Sequence, residues 1–278
     1  MLIELGGIGG PCPESRVTGK FEMSDDLKLI VTTSRHASTT TRAFARRKAA
    51  AWGFPYVKRL DRSLELAIED SGAAFVFRND GLVLSTARTQ LRFDLGTASV
   101  RLLSMARGDR DPLVRVGELI AGDRVFDATL GLGRDALVAA RAVGPGGEVF
   151  GVESNRALFT LVGEGLASHD VGAESVAIQP VLGDSRHLLY CAGDASFDVV
   201  VIDPMFSVPA KSDGNFEAAR EFADRTSLDP EWIRQARRVA KRWVVAKVAH
   251  EESWFSSEGL QRVPGMGATR WWRAAGCS

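Results

Sequence analysis

Cysteine is scarce: Cys12, Cys191 and Cys277 are the only three in 278 residues. They lie too far apart for a Cys-x-x-Cys metal or redox pair, and reduced thiols in a cytoplasm are the expectation. Long hydrophobic runs are also missing. The longest apolar stretches, such as Val199 to Ile202 and Trp243 to Val245, are strand-sized and far short of the ~20 residues that span a bilayer. Met1 to Cys12 is glycine-rich and lacks a basic start followed by a hydrophobic block, so no secretory signal is expected. The four histidines, His36, His169, His187 and His250, are scattered without the spacing of a metal site or of a Ser-His-Asp triad. Net charge is absent too, because 35 Lys plus Arg offset 35 Asp plus Glu.

What is present is an ordinary globular composition, 45% hydrophobic and 25% charged, in a chain long enough for about two domains. The zero charge conceals an uneven distribution. Residues 1 to 120 carry 18 basic against 14 acidic side chains, and residues 121 to 278 carry 17 against 21. From Lys28 to Arg62 nine basic residues face the single acid Asp61. A second run, Arg234, Arg237, Arg238, Lys241, Arg242 and Lys247, contains no acid. Concentrated basic stretches in a neutral chain point to a polyanionic partner, or else to solvated helix faces.

Residues 1 to 26 show little periodicity and read as a flexible leader. Residues 27 to 92 read as a small α/β module. Leu29-Ile30-Val31 suggests a strand, and Ser38 or Thr39 caps a helix that Gly53 and Pro55 end near Trp52. A further helix is expected from Leu64 to Asp70. Ala73 to Arg78 and Leu82 to Ser85 flank Asn79-Asp80-Gly81, whose Asp-Gly pair supplies the positive φ of a hairpin turn. Beyond residue 112 strands and helices alternate, the signature of a mostly parallel, doubly wound sheet. Strands are expected at Arg124 to Asp127, Glu148 to Glu153, Ser175 to Pro180, Phe197 to Asp203 and Arg242 to Lys247. Helices are expected at Arg134 to Val143, Arg156 to His169, Arg186 to Cys191 and Glu231 to Lys241. Gln261 to Ala275 would close the sheet as an antiparallel hairpin.

The most informative segment is Val125-Phe126-Asp127-Ala128-Thr129-Leu130-Gly131-Leu132-Gly133-Arg134-Asp135. A strand ends in an acid, a glycine turn follows, and a helix begins with free N–H groups. Glycine lets the backbone approach a ligand closely there. Gly131-x-Gly133-x-x-Ala136 fits a nicotinamide dinucleotide or S-adenosylmethionine (SAM). Asp127 favours SAM, since an amino-acid-bearing cofactor presents an ammonium to be balanced. Glu153 ends the next strand, 20 residues after Gly133, where an acid accepts both ribose hydroxyls of either cofactor. Asp184, in Gly183-Asp184-Ser185, can accept from an adenine amino group or simply cap a helix.

Val199-Val200-Val201-Ile202 runs into Asp203-Pro204-Met205-Phe206. Strand carboxyl ends face the ligand crevice of such a sheet, so Asp203 points at the reacting group. Methylation of an exocyclic base amine needs chiefly placement. Asp203 and the Pro204 carbonyl can accept its two N–H bonds, Pro204 fixes the local φ, and Phe206 can stack on the base. The bland alternative is a strand-ending turn with Phe206 in the core. Lys247 could touch substrate or be an ordinary surface lysine. Trp271 and Trp272 could stack on RNA, although one of two adjacent strand residues normally faces the core.

Asp127 to Asp135 together with Asp203-Pro-Met-Phe206 resemble the RsmJ family, bacterial SAM-dependent methyltransferases of the guanine N2 amine in small-subunit ribosomal RNA. The likeness runs from about Phe93 to the C-terminus. It implies a Rossmann-like class I methyltransferase fold over residues 93 to 278, a cytoplasmic enzyme, and ribosomal RNA or the small ribosomal subunit as partner, with no metal and no membrane. By the same resemblance, cofactor contacts fall on Arg134, Asp135, Glu153, Ser154, Asp184, Ser185 and Asp203, beside Asp127, Thr129, Gly131 and Gly133. Asp203, Pro204 and Phe206 are the candidate catalytic residues. The chain departs from the family pattern at Ser154, where an Arg is usual, and at Ser207, where a Pro is usual. Thr32-Thr33-Ser34-Arg35 leading into Thr41-Arg42-Ala43-Phe44-Ala45 is similar to the opening of Brix-type ribosome-assembly domains. Two other readings stand beside the enzyme: a nicotinamide-dependent oxidoreductase, and a non-catalytic ribosome-assembly protein that binds RNA.

Overall fold

A computed structural model of the chain describes residues 28–59, 63–69, 71–169, 175–204, 218–222, 226–248, 251–265 and 270–277. The leader (1–26) and the Met205-Phe206 end of the Asp-Pro turn lie outside them.

The N-terminal elements are β1 (Leu29–Thr33), α1 (Thr39–Trp52), α2 (Leu64–Glu69), β2 (Ala73–Arg78), β3 (Gly81–Thr86) and β4 (Gln90–Leu91). They form a four-stranded sheet in the order β1-β2-β3-β4, with β1 parallel to β2 and the other pairings antiparallel. Ser38 caps α1 by accepting from the Thr41 N–H at 3.0 Å, and Gly53 ends it in the left-handed conformation at φ 68°. Arg78 pairs with Gly81 across the two-residue turn Asn79-Asp80, so the positive φ falls not in the turn but on Gly81, at 129°, the first residue of β3.

After α3 (Thr97–Ala106) and α4 (Pro112–Val116) come β5 (Arg124–Asp127), α5 (Arg134–Val143), β6 (Glu148–Glu153), α6 (Arg156–Ser168), β7 (Ile178–Leu182), α7 (Ser185–Cys191), β8 (Phe197–Ile202), α8 (Pro230–Val239), β9 (Ala240–Lys247), β10 (Gln261–Val263) and β11 (Trp271–Ala275). Their seven-stranded sheet has the order β10-β11-β9-β8-β5-β6-β7. Strands β5 to β9 are mutually parallel, and β10 and β11 add the antiparallel hairpin. Phe126, Phe150, Phe197 and Val200 pack on one face of the sheet, Val125, Val149, Val199 and Val201 on the other. Helices cover both faces, so strands such as β8 are apolar on both sides and show no alternation.

Three expected boundaries move. β7 begins at Ile178 rather than Ser175, because its ladder starts opposite Val149 near the start of β6. Pro180 sits inside β7, tolerated because this edge strand has a neighbour on one side only. α8 ends at Val239 and β9 starts at Ala240, two residues earlier than expected, because Ala240 already pairs with Phe197 of β8. The tryptophan pair is also corrected. Trp271 and Trp272 are each 3% exposed and belong to the cores on opposite faces of the sheet, so neither is available for stacking on RNA. Cys277 is exposed and free.

The two sheets share one core. Phe54, Phe75 and Phe77 of the first belong to the same apolar cluster as Leu158, Leu161 and Val162 of α6. Phe93 lies against Gly165 of α6, where a Cβ would come within 2.0 Å of its ring. Lys48 of α1 bonds Glu164 at 2.6 Å, and Arg156 donates to the Trp52 carbonyl at 3.0 Å. No helix among the described residues is long and apolar enough to cross a membrane.

Candidate active site

The chain reverses its direction of winding between β5 and β8, and their carboxyl ends open a crevice there. A cleft occupies this place, where ligands bind in open α/β sheets. Thr129, Gly131, Glu153, Ser154, Asp184, Ser185, Asp203 and Pro204 line it, together with the apolar Val152, Leu158 and Trp232. Asp127, Gly133, Arg134 and Asp135 are not among its lining residues.

The glycine turn uses backbone conformations that side-chain-bearing residues resist, with φ 50° at Gly131 and 75° at Gly133. The Gly131 N–H donates to Glu153 Oε2 at 3.1 Å, and Glu153 Oε1 accepts from the Asn155 N–H at 2.9 Å. Two backbone donors thus fix this buried carboxylate in the cleft wall. Thr129 Oγ1 accepts from the Asp203 N–H at 2.7 Å, tying the turn after β5 to the turn after β8.

Asp127 is almost fully buried. Its Oδ1 accepts from the Thr129 N–H at 3.0 Å, while Oδ2 has no hydrogen-bond partner. Burial and the nearby Asp135 carboxylate push its carboxyl up to about 7. A buried acceptor without a donor is costly, and a ligand ammonium beside the glycine turn would satisfy it.

Asp135 stands at the head of α5. Lys247 at the end of β9 and Arg101 on α3 both bond it, the latter at 2.7 Å. Burial opposes its charge, but these two cations hold its carboxyl down at about 2. Lys247 also reaches Asp203 Oδ2 at 2.9 Å. Arg101 forks onto Asp111 with two bonds of 2.8 Å. The result is a chain of alternating charge, Asp111, Arg101, Asp135, Lys247, Asp203, that ends in the cleft. Burial raises the Asp203 carboxyl and Lys247 opposes that rise. Lys247 itself is held charged, because the attraction of Asp135 and Asp203 outweighs its burial.

Asp184 caps α7 through the Arg186 N–H at 2.9 Å, and the Arg186 guanidinium forks back onto it at 3.0 and 2.6 Å. Arg134 lies over Gly96, where a Cβ would meet its guanidinium at 2.1 Å, and contacts Asp94 at 3.4 Å. Sequence reasoning missed Arg101, Arg186 and Trp232 altogether. Arg101 offers no local signal, being one arginine among apolar helix residues.

The sheet order, the glycine turn and the carboxylates around the cleft define a class I SAM-dependent methyltransferase. The chain belongs to the SAM_MT family, described as "Putative SAM-dependent methyltransferase", whose model matches residues 61–261. It is 32% identical over 231 residues to the uncharacterized protein YpiP of Bacillus subtilis (strain 168), covering 78% of this chain and 88% of that one. It is also 32% identical over 222 residues to ribosomal RNA small subunit methyltransferase J of Thioalkalivibrio sulfidiphilus (strain HL-EbGR7), covering 73% and 86%. A SAM-dependent methyltransferase from Neisseria gonorrhoeae shares the fold, with a TM-score of 0.55 at 18% identity over 89% of this chain and 96% of that one. The cofactor is therefore SAM, and the nicotinamide reading of Gly131-x-Gly133 falls. The orphaned Asp127 oxygen and the open glycine turn fit this cofactor's ammonium and backbone.

Proposed function

We propose that the protein methylates an exocyclic base amine of small-subunit ribosomal RNA, the guanine N2 amine. The observation that carries this reading is the state of Asp203 at the end of β8. Lys247 occupies its Oδ2, while Oδ1 bears no hydrogen bond among the described residues and the residue lines the cleft. SAM, when bound, supplies a methyl group activated by a sulfonium. Asp203 Oδ1 and the Pro204 carbonyl accept the two N–H bonds of the amine and aim its lone pair at that methyl. The methylated amine would be cationic, and Asp203 Oδ1 would take up the one proton it gives up. Phe206, just beyond the described residues, is assigned to the face of the base.

On this reading Asp127, Thr129, Gly131 and Gly133 hold the amino-acid end of SAM, with Arg134 and Asp135 as the head of the helix behind them. Glu153 and Ser154 hold the ribose, and Asp184 and Ser185 the adenine. Residues 93–278 form the catalytic domain and residues 27–92 the module that holds RNA. The ribosomal substrate is supported by the relative named for small-subunit ribosomal RNA, and the reading carries with it a cytoplasmic location and ribosomal RNA or the small subunit as partner.

The test is incubation with SAM and unmodified small-subunit RNA, followed by nucleoside mass spectrometry. N2-methylguanosine is expected, and Asp203→Ala should abolish it while SAM still binds. A methyl group on a ring carbon or a ribose would sink the proposal.

A further inference from the structure

The second basic run and the arginines of α1 in the first have different fates in the fold. Every member of the second is consumed internally. Arg234 pairs with Glu231 at 2.8 Å and Glu258 at 2.7 Å, Lys241 with Asp198 at 3.2 Å, Arg238 with Asp194, and Arg242 with Asp123. Arg237 donates to the carbonyls of Ala275 and Glu258 at 2.9 and 3.0 Å, and Lys247 is held by two carboxylates. A phosphate reaching this run would have to displace carboxylates already in place.

On α1 the reverse holds. Thr39 to Trp52 contains no acid. Arg42, Arg46 and Arg47 are exposed, and none makes an ion pair among the described residues. Arg42 bonds only the Arg35 carbonyl, at 3.1 Å, and Arg46 lies over the Tyr56 ring at 5.3 Å. The helical period sets these three arginines on one arc with the exposed Ala43 and Ala50 between them and Ala51 just beyond. That arc is positive, and its spaces are filled by methyl groups over which a strand can lie. At its edge Phe44 is 37% exposed, braced edge-on by Phe77 at 5.5 Å and flanked by Arg47 at 5.6 Å and Lys48 at 5.4 Å. An exposed aromatic ring among cations is the pairing that single-stranded nucleic acid uses, with bases on the ring and phosphates on the cations.

The surface is also placed to serve the cleft. The C-terminal end of α1 takes the Arg156 side chain, and α6 starts directly after Glu153, Ser154 and Asn155 of the cleft wall. From Arg46 to that end the helix rises about 9 Å. We infer that the exposed face of α1 (Arg42, Arg46, Arg47 and Phe44) is the docking surface for single-stranded RNA, and that the second basic run is not. The inference rests on the reading above that the substrate is RNA, and adds where and in what form it is held.

Fluorescence anisotropy with a labelled single-stranded oligouridylate and a labelled RNA duplex, each across a KCl series, tests it. Arg42→Ser/Arg46→Ser/Arg47→Ser should weaken single-strand binding by at least tenfold and lower the salt slope by about 2, since each phosphate contact contributes about 0.7. Phe44→Ala should weaken it about tenfold with the slope unchanged. Arg234→Ser/Lys241→Ser should have no effect. Because Phe44 packs on Phe77, its variant is checked by thermal melting, and the surface arginines carry the test if it unfolds. Unchanged affinity and slope in the triple variant, equal loss in the Arg234/Lys241 variant, or wild-type preference for the duplex would each overturn the inference. SAM affinity by calorimetry should be unchanged in the triple variant. Wild-type protein that binds RNA through α1 yet places no methyl on small-subunit RNA would sink the proposed function and leave the surface standing. Equal methylation by wild type and triple variant would do the opposite.

Discussion

Lys247 Nζ lies 2.9 Å from Asp203 Oδ2 while also bonding Asp135, so one ammonium joins the end of β9 to the end of β8 and the head of α5. It packs over the Trp271 ring at 4.9 Å, which shields it from water. Its place occupies Asp203 Oδ2 and leaves Oδ1 without a hydrogen bond among the described residues.

Lys247→Met should therefore leave Asp203 unoriented and raise its carboxyl further. The expected outcome is a fall in kcat of about 100-fold at neutral pH, with the acidic limb of the pH profile moved to higher pH. Lys247→Arg should recover part of both. Single-turnover methyl transfer across pH checks this, and an unmoved acidic limb would reduce Lys247 to a packing role.

Asp127 should make cofactor binding pH-dependent. Its carboxyl sits at about 7, so below that pH it must release a proton before it can face an ammonium. SAM affinity should rise with pH between about 5 and 7, by at most tenfold per unit, and level off above. Calorimetry in buffers of different ionisation enthalpy should detect proton release at pH 6. Asp127→Asn should flatten the dependence, and a dependence that survives in Asn would discard the assignment.

The same group sets a sign for stability. A carboxyl raised from 3.8 to about 7 favours the folded state most below about pH 4, and that contribution is lost as pH climbs to 7. Asp135, lowered from 3.8 to about 2, contributes stability above about pH 4 that is lost as pH falls toward 2. Urea unfolding of the ligand-free protein should show Asp127→Asn gaining stability relative to wild type as pH rises from 5 to 7.

Asp184 combines two duties that substitution can separate. Asp184→Ala removes the α7 cap, at about 1 kcal/mol, and the acceptor facing the cleft. Asp184→Ser should restore the cap and the melting temperature but not SAM affinity, expected to be about tenfold weaker. Recovery of both in Asp184→Ser would show the residue to be a cap alone.

Gly165→Ala drives a methyl into the Phe93 ring, whose nearest carbon would lie 2.0 Å away. Overpacking of this kind costs about 1–3 kcal/mol, and each kcal/mol lowers the melting temperature of a chain this size by about 2–4 °C. Phe93→Leu in the same chain should recover part of the loss, a coupling that a double-mutant cycle measures.

Much of the site was legible because it is built from local syntax. The strand-acid-glycine-helix order from Val125 to Asp135 fixes a turn whose backbone only certain residues adopt, and strand-ending Glu153, Asp184 and Asp203 must fall on one rim of a parallel sheet. The apolar runs of β5, β6 and β8 announce strands covered on both faces. Boundaries failed where a neighbour decides them: Ile178 starts a strand only because Val149 does, and Ala240 because Phe197 does.

The sequence by itself determined the doubly wound sheet, the cofactor turn and the acid at the end of β8, because each depends on residues close together in the chain. Only the tertiary structure decided what the charges are for. Arg101 and Lys247 stand 146 residues apart in sequence, yet both hold Asp135. The two basic runs look alike as strings, but the second is satisfied within the fold, whereas Arg42, Arg46 and Arg47 of the first face solvent. An ion pair is a relation of distance in space, and no spacing along the chain encodes it.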